Sequence, residues 1–184
     1  GKGTSNRTWL NADQALACSL AVKHEDIKVK HTLIPLLSSY IFTEVLNEIN
    51  LSLKWPNDII LNNQKVGGIL VEKSESNICI GMGVNYFWDK PEIPGAGSVF
   101  NKKQEDALIN SHAKEWASEV LSTLAKNNFD LGKYKQKLQT IGKIVEYPEG
   151  RGWADDINED GSLRIKSTDG NYINLTSPLI SEVN

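Results

Sequence analysis

KWPNDIILNNQKVGGILVE, Lys54 to Glu72, is the stretch whose reading decides the fold. Two apolar runs, DIIL (58–61) and KVGGILVE (65–72), flank Asn62-Asn63-Gln64. Asparagine tolerates positive φ, so the trio reads as a hairpin tip. Before it, LSLKW (51–55) alternates and then meets Pro56. A residue before proline favours extended backbone, so Trp55 ends a strand. A hairpin closing at 62–64 has two natural registers, and in each Gly67 or Gly68 lies across from Asp58. Adjacent glycines weaken a strand, and they mark places where something approaches the backbone closely. Lys65 stands at the entrance to that bare stretch. On its own the pair of glycines would read as a surface hairpin with solvated lysines; the joined string argues for a site.

Outward from this hairpin, ALACSLAV (15–22) reads as a short buried strand. NICIGMGVNY (77–86) reads as another, with Gly81 and Gly83 inside it. Residues 1–9, GKGTSNRTW, have no apolar period and read as a loop, as do residues 87–102. HTLIPLLSSYIFTEVLNEI (31–49) repeats apolar residues every three or four positions, which predicts a helix with Pro35 in its first turn. A second helix is predicted over 104–126, with Ile109, His112, Trp116, Val120 and Leu124 on one stripe. A shorter one is expected through Tyr134, Leu138 and Ile141. From Lys143 the pattern changes to short strands, KIVEY, WADDI, SLRIK and NYINL, with turn signals at Pro148-Glu149-Gly150, Asp160-Gly161 and Asp169-Gly170. The division expected is residues 1–141 and a small all-β module over 142–184.

The chain has 184 residues, 40% hydrophobic and 23% charged, which is ordinary globular composition for one domain or one plus a small module. A formal net charge of −3 shows no basic excess of the kind a nucleic-acid surface carries. No run approaches the roughly 18 apolar residues of a membrane span, and no signal peptide is visible; cytoplasmic residence is expected from the reduced-thiol reading of Cys18 and Cys79. Cys18 and Cys79 sit in apolar, strand-like stretches and read as reduced buried thiols. His24, His31 and His112 have no ligand-like spacing with either.

Three segments together resemble the biotin protein ligases. KWPNDIILNNQKVGGILVE matches that family's signature of lysine, tryptophan, proline, asparagine and aspartate, followed by a lysine and a Gly-Ile-Leu. Gly1-Lys2-Gly3-Thr4-Ser5-Asn6-Arg7-Thr8-Trp9 resembles its glycine- and arginine-rich ligand loop, with Lys2 and Thr4 standing where the family carries arginine. Ile80-Gly81-Met82-Gly83-Val84-Asn85 resembles its strand I-G-x-G-[IV]-N. The carboxyl-terminal module is similar to its SH3-like barrel. The fold implied is α+β: a mixed sheet with helices mainly on one face, of the class II aminoacyl-tRNA synthetase and biotin synthetase kind, then a small β-barrel.

The activity the resemblance implies is a two-step ligation using biotin, ATP and Mg2+. Biotin's carboxylate attacks the α-phosphate of ATP, and a lysine of a carboxylase biotin carrier domain then takes the biotin from the adenylate. In the first step an anion approaches a polyanion, and two unit charges 4 Å apart repel by about 4 kcal/mol at an effective dielectric near 20. Fixed cations aimed at the transition state must offset this. The resemblance puts Lys65 between the carboxylate and the α-phosphate, with Arg7 as a second catalytic cation. It gives Gly1, Lys2, Gly3, Thr4, Trp9, Lys65, Gly67, Gly68, Gly81 and Gly83 to biotin and its adenylate. Arg7, Lys54, Asn57, Asp58 and Asn85 go to ATP. Lys54 reads equally as an ion-pair partner of Asp58 or Glu72, and Gly81 and Gly83 equally as sites of close packing.

Family members also carry an upstream Ser-Thr-Asn element and a glutamine that line the biotin pocket. A chain beginning at Gly1 is therefore expected to bind biotin poorly. Bifunctional members add a winged helix for DNA, and no nucleic-acid or membrane partner is expected for this chain. Pairing of two copies through the central sheet is a further implication. The alternatives are a lipoate or octanoate ligase on the same scaffold, and a non-catalytic paralogue that holds biotin or a carrier domain.

Overall fold

In a computed structural model, which describes residues 12–91, 93–176 and 181–182, the first described element is strand β1 (Gln14–Lys23). Its alternation buries Leu16 and Val22 and leaves Ala15, Ala17, Ser19 and Ala21 exposed. A 3-10 turn over His31–Leu33 leads into helix α1 (Ile34–Val45), with Pro35 in its first turn. The helix is shorter than the predicted 31–49. Leu46 leaves helical geometry at φ −105 and ψ 44, and the Ile49 N–H donates to the Leu46 carbonyl. That turn buries Leu46 and delivers Leu51 to the core, so the spacing of Ile49 belongs to a turn.

Strands β2 (Ser52–Lys54), β3 (Asp58–Leu61), β4 (Gln64–Lys73) and β5 (Asn77–Phe87) follow in close succession. Asn62 and Asn63 take φ of 50 and 60, the two-residue hairpin tip the asparagines predict. Helices α2 (Asp106–Lys126) and α3 (Leu131–Lys137) come next. The predicted stripe on α2 buries Ile109, Trp116, Val120 and Leu124, and His112 is half-buried. Strands β6 (Ile144–Tyr147), β7 (Gly150–Ile157), β8 (Leu163–Ser167), β9 (Tyr172–Leu175) and β10 (Ser181–Glu182) complete the chain.

The central sheet has the order β1-β5-β4-β3-β2, and the second β10-β6-β7-β8-β9. Every ladder among the described residues is antiparallel, in place of the mixed sheet expected. The reason is connectivity: turns of two or three residues join β2 to β5, and such turns reverse the chain. Parallel pairing is confined to isolated bridges such as Leu53–Leu138 and Lys65–Ala96. In the second sheet no ladder joins β9 to β10 among the described residues, so the structure shows an antiparallel sheet and not a closed barrel.

Helices α1 and α2 pack on each other, α1 on β4 and α2 on β1. They cover the face on which β5 places Ile78, Ile80, Met82 and Val84, all buried. By alternation, Cys79, Gly81, Gly83 and Asn85 look to the other face, the open face below. Among the described residues no helix is long and apolar enough to cross a membrane.

Candidate functional site

The register assembles one row across the open face. Lys54 pairs with Asp58, Asp58 with Gly68, Gly68 with Gly83 and Gly83 with Ala17. Of the two registers open in the sequence, the structure takes the one that sets Gly68 against Asp58. Gly67 pairs with Ile59 and Val84 and looks to the helix face. A Cβ there would stand 3.0 Å from the Val84 side chain and the Gly83 carbonyl. The core excludes that side chain, so Gly67 is not part of the open face.

A bulge brings Lys65 to this row. Ile59 pairs with Gly67 and Ile60 with Lys65, which leaves Val66 as the extra residue. An inserted residue shifts the alternation by one. Lys65 thereby shares a face with Asp58 and Gly68 while Val66 is buried. The Lys65 ammonium forms an ion pair with Asp58 Oδ1. A Cβ on Gly68 would lie 3.5 Å from both Lys65 Cε and Asp58 Oδ1, so the lysine stem runs over the bare glycine. The side chains of Lys65 and Asp58 are 38% and 23% exposed, which leaves the pair reachable by a ligand. Lys54 is held in the same row, across β3 from the glycines.

The backbone of Lys65 is clasped by a segment that sequence reading takes only as loop. Its N–H donates to the Gly95 carbonyl at 2.7 Å, and the Gly97 N–H donates to the Lys65 carbonyl at 3.0 Å. Asn85 Nδ2 donates to the Gly97 carbonyl at 2.9 Å. A Cβ on Gly97 would come within 2.8 Å of Gln64 Cβ, so glycine is required there. The signal available in the sequence is the cluster Pro94-Gly95-Ala96-Gly97.

The two asparagines play different parts. Asn57 Nδ2 donates to the Ile69 carbonyl at 2.5 Å, and the Ile69 N–H returns to the Asn57 carbonyl at 3.0 Å. Its amide nitrogen is thus committed to holding β4. Asn85 is buried, and its Oδ1 has no hydrogen-bond partner among the described residues. Burying an acceptor without a partner costs about 1–3 kcal/mol, and a ligand N–H would offset that. Tyr134, from α3, also has a buried hydroxyl without a partner among the described residues. Burial, then the charge of Asp58, pushes its pKa far above the ordinary phenol range, so it stays neutral.

Gly1, Lys2, Gly3, Thr4, Arg7 and Trp9 lie outside the described residues. The described ones brought together are Lys54, Asp58, Lys65, Gly68 and Gly83 on one row, with Gly81 and Asn85 to either side of Gly83 on β5. No group of three histidine, cysteine or acidic residues that could hold a metal ion occurs among the described residues. Asp58 is already paired with Lys65. The described residues therefore offer no all-protein cage for a resident Mg2+.

The family model for the biotin/lipoate A/B protein ligase family matches residues 1–85. The solved biotin protein ligase of Aquifex aeolicus in complex with biotin and ATP superposes with a TM-score of 0.82 and is 26% identical, covering 100% of this chain and 84% of that one. This chain is similar to biotin protein ligases in both sequence and fold. A biotin–[acetyl-CoA-carboxylase] ligase of Mycobacterium tuberculosis is 25% identical over 181 residues, which is 89% of this chain and 68% of that protein. The chloroplastic biotin–protein ligase 1 of Arabidopsis thaliana is 31% identical over 98 residues, and the match spans only 26% of it. The likeness to biotin ligases thus extends over the second sheet as well as the signature hairpin.

Proposed function

We propose that this chain is an ATP-dependent ligase that makes biotinyl-5′-AMP and transfers biotin to a lysine of a carboxylase biotin carrier domain. Residues 1–141 are its catalytic part, and 142–184 a small β module. The observation that carries the reading is the Lys65 ammonium, held over the bare backbone of Gly68 and flanked on the same row by Asp58 and Gly83. A carboxylate and a phosphate laid on the open face would both meet that cation.

In the first step a biotin carboxylate oxygen bonds to the α-phosphorus and the bond to the β-phosphate oxygen breaks, releasing pyrophosphate. In the second, the carrier amine attacks the acyl carbon, loses a proton, and AMP leaves. Lys65 screens the repulsion of the first step, with Arg7 and Lys54 as further cations. The orphaned Oδ1 of Asn85 offers an acceptor to an amino group of the nucleotide. Gly81 and Gly83 leave room for the biotin ring. Mg2+ carried in on the nucleotide would supply neutralisation of phosphate charge. The same reading includes pairing of two copies through the central sheet, which sedimentation would measure.

The test is release of pyrophosphate and formation of an adenylate from biotin and ATP, then labelling of a carrier domain. Lys65→Ala is expected to lose adenylate formation by at least about a hundredfold with its thermal midpoint little changed. Full turnover in that variant overturns the mechanism. The family model's description covers lipoate ligases too, so lipoate and octanoate belong in the same assay. Adenylate formed from either of those and not from biotin would replace the substrate. A protein that binds biotin and ATP without ever labelling a carrier would be a non-catalytic paralogue.

A further inference from the structure

Trp55 is the second residue of the signature stretch, yet the proposed chemistry makes no use of it. It is buried, and both of its N–H donors leave the central sheet. The backbone N–H donates to Thr140 Oγ1 at 2.9 Å, and the indole Nε1–H to the Gly161 carbonyl at 2.9 Å. Gly161 lies in the turn between β7 and β8. That turn is fixed from within: Asp160 Oδ1 accepts from the Ser162 N–H at 3.0 Å and from its hydroxyl at 2.6 Å. The Gly161 N–H donates to the Asn158 carbonyl at 2.9 Å. It is fixed from without as well. The Thr32 hydroxyl donates to the Asp160 carbonyl. Gly161 has φ +84, and a Cβ on it would stand 3.1 Å from Leu33 and 3.2 Å from the Thr32 carbonyl. The turn is wedged against the residues that open α1, and only glycine fits at its tip.

From Trp55 the path to the site is short. Two residues on, Asn57 holds Ile69 of β4 through both its carbonyl and its side-chain amide. The next residue, Asp58, pairs with Lys65. We infer that the β7–β8 turn of the second sheet is a positioning element for Lys65, acting through the indole of Trp55 and the β2–β3 connection. Its kinetic consequence rests on the ligase reading; its structural consequence does not.

Two variants test it. Trp55→Phe keeps an aromatic ring and removes the donor to Gly161, and Thr32→Val removes the donor to Asp160. Two readouts are needed. The first is the 13C resonance of reductively methylated Lys65, assigned by its loss in Lys65→Arg, which reports the lysine's surroundings whether or not the protein is active. The second is the rate of adenylate formation per active site, counted by the burst of pyrophosphate so that an unfolded fraction does not register. The expected result is a shifted Lys65 resonance in both variants and a per-site kcat lowered about tenfold with the biotin KM nearly unchanged. An unmoved Lys65 resonance in both variants overturns the inference, whatever the activity. If the unmodified protein forms no adenylate while the resonance still responds to both substitutions, the ligase reading fails and the positioning role stands.

Discussion

Gly67 and Gly81 face opposite sides of one sheet, and alanine separates the reasons for each. At Gly67 a Cβ meets the Gly83 carbonyl and Val84 at 3.0 Å and Ile59 at 3.3 Å, so packing alone forbids it. Gly67→Ala is expected to destabilise the fold by about 1–3 kcal/mol. At Gly81 the nearest atoms, the Leu70 carbonyl and Ser19 Oγ, are 3.7 Å away, an ordinary contact. The protein itself gives no steric reason for a glycine there, and Gly81→Ala should be neutral or stabilising by about 0.5 kcal/mol. If biotin lies on the open face, the same variant raises the biotin KM by about tenfold or more through a clash with the ligand. Denaturant titration and initial-rate measurements on the two variants decide the matter. An unchanged biotin KM in Gly81→Ala would remove Gly81 from the biotin surface. The resemblance puts both glycines at the ligand; Gly67 falls on the other face because alternation cannot be counted through an unseen bulge. Val66 supplies that bulge, and its own side chain gives no hint of it.

At the scale of the element, boundaries follow local chemistry where a turn residue announces them. The Asn62-Asn63 tip and the glycines at 161 and 170, with φ of +84 and +89, fall where the asparagines and the Asp-Gly pairs predict. The end of α1 does not, because Leu46 and Ile49 keep the helical spacing while the backbone has already left the helix. On α2, periodicity puts His112 on the buried stripe but cannot name its partner. The Tyr86 hydroxyl lies 2.9 Å from His112 Nδ1. Burial pushes the Tyr86 phenol well above its ordinary pKa and keeps it protonated, so it can donate to Nδ1 where the neutral imidazole carries its proton on Nε2. Burial also holds the His112 pKa below 6.5, with the charge of Glu115 opposing that shift. The folded state thus binds fewer protons at this site than the unfolded chain. The bond's contribution is intact above about pH 6.5 and is lost as pH falls through the lowered folded-state value. His31 is shifted in the same direction, by burial and by the charges of His24 and Lys73, so the comparison must be between variants. Tyr86→Phe should cost about 1 kcal/mol at pH 7.5 and progressively less toward pH 5, where the unmodified protein has lost the bond as well. A penalty independent of pH would mean that protonation of His112 leaves the bond in place.

For the whole molecule, the resemblance to the biotin ligases was legible because three separated segments each carry a distinctive side-chain pattern. The way the second sheet meets the first was not legible, since it rests on backbone carbonyls and on short segments without periodicity. The Gln139 N–H donates to the Leu53 carbonyl at 2.8 Å, which lays the chain after α3 along the edge of β2. Lys135 of α3 meets Asp156 of β7 at 2.7 Å. Desolvation raises the Asp156 pKa, but hydrogen bonds from Lys135 and the Ile157 N–H, with the charges of Lys135 and Arg164, outweigh it and hold the carboxyl below its usual value. Apolar contact is continuous too: Val145, Tyr147, Ile157 and Ile165 belong to the same buried cluster as Trp55, Ile59 and Val84. A core shared in this way has no plane along which the sheets separate without exposing apolar surface, at about 25 cal/mol per Å2. Heating should therefore produce one calorimetric transition. The fluorescence of Trp153, on the outer face of β7, should lose its native signal at the same temperature as the near-ultraviolet dichroism of buried Trp55 and Trp116. Trp55→Phe, which breaks the indole contact between the sheets, should lower that temperature without splitting the transition. Two resolved transitions in the unmodified protein would show that the second sheet folds by itself, and a turn on an independently mobile unit could not hold Lys65 in place.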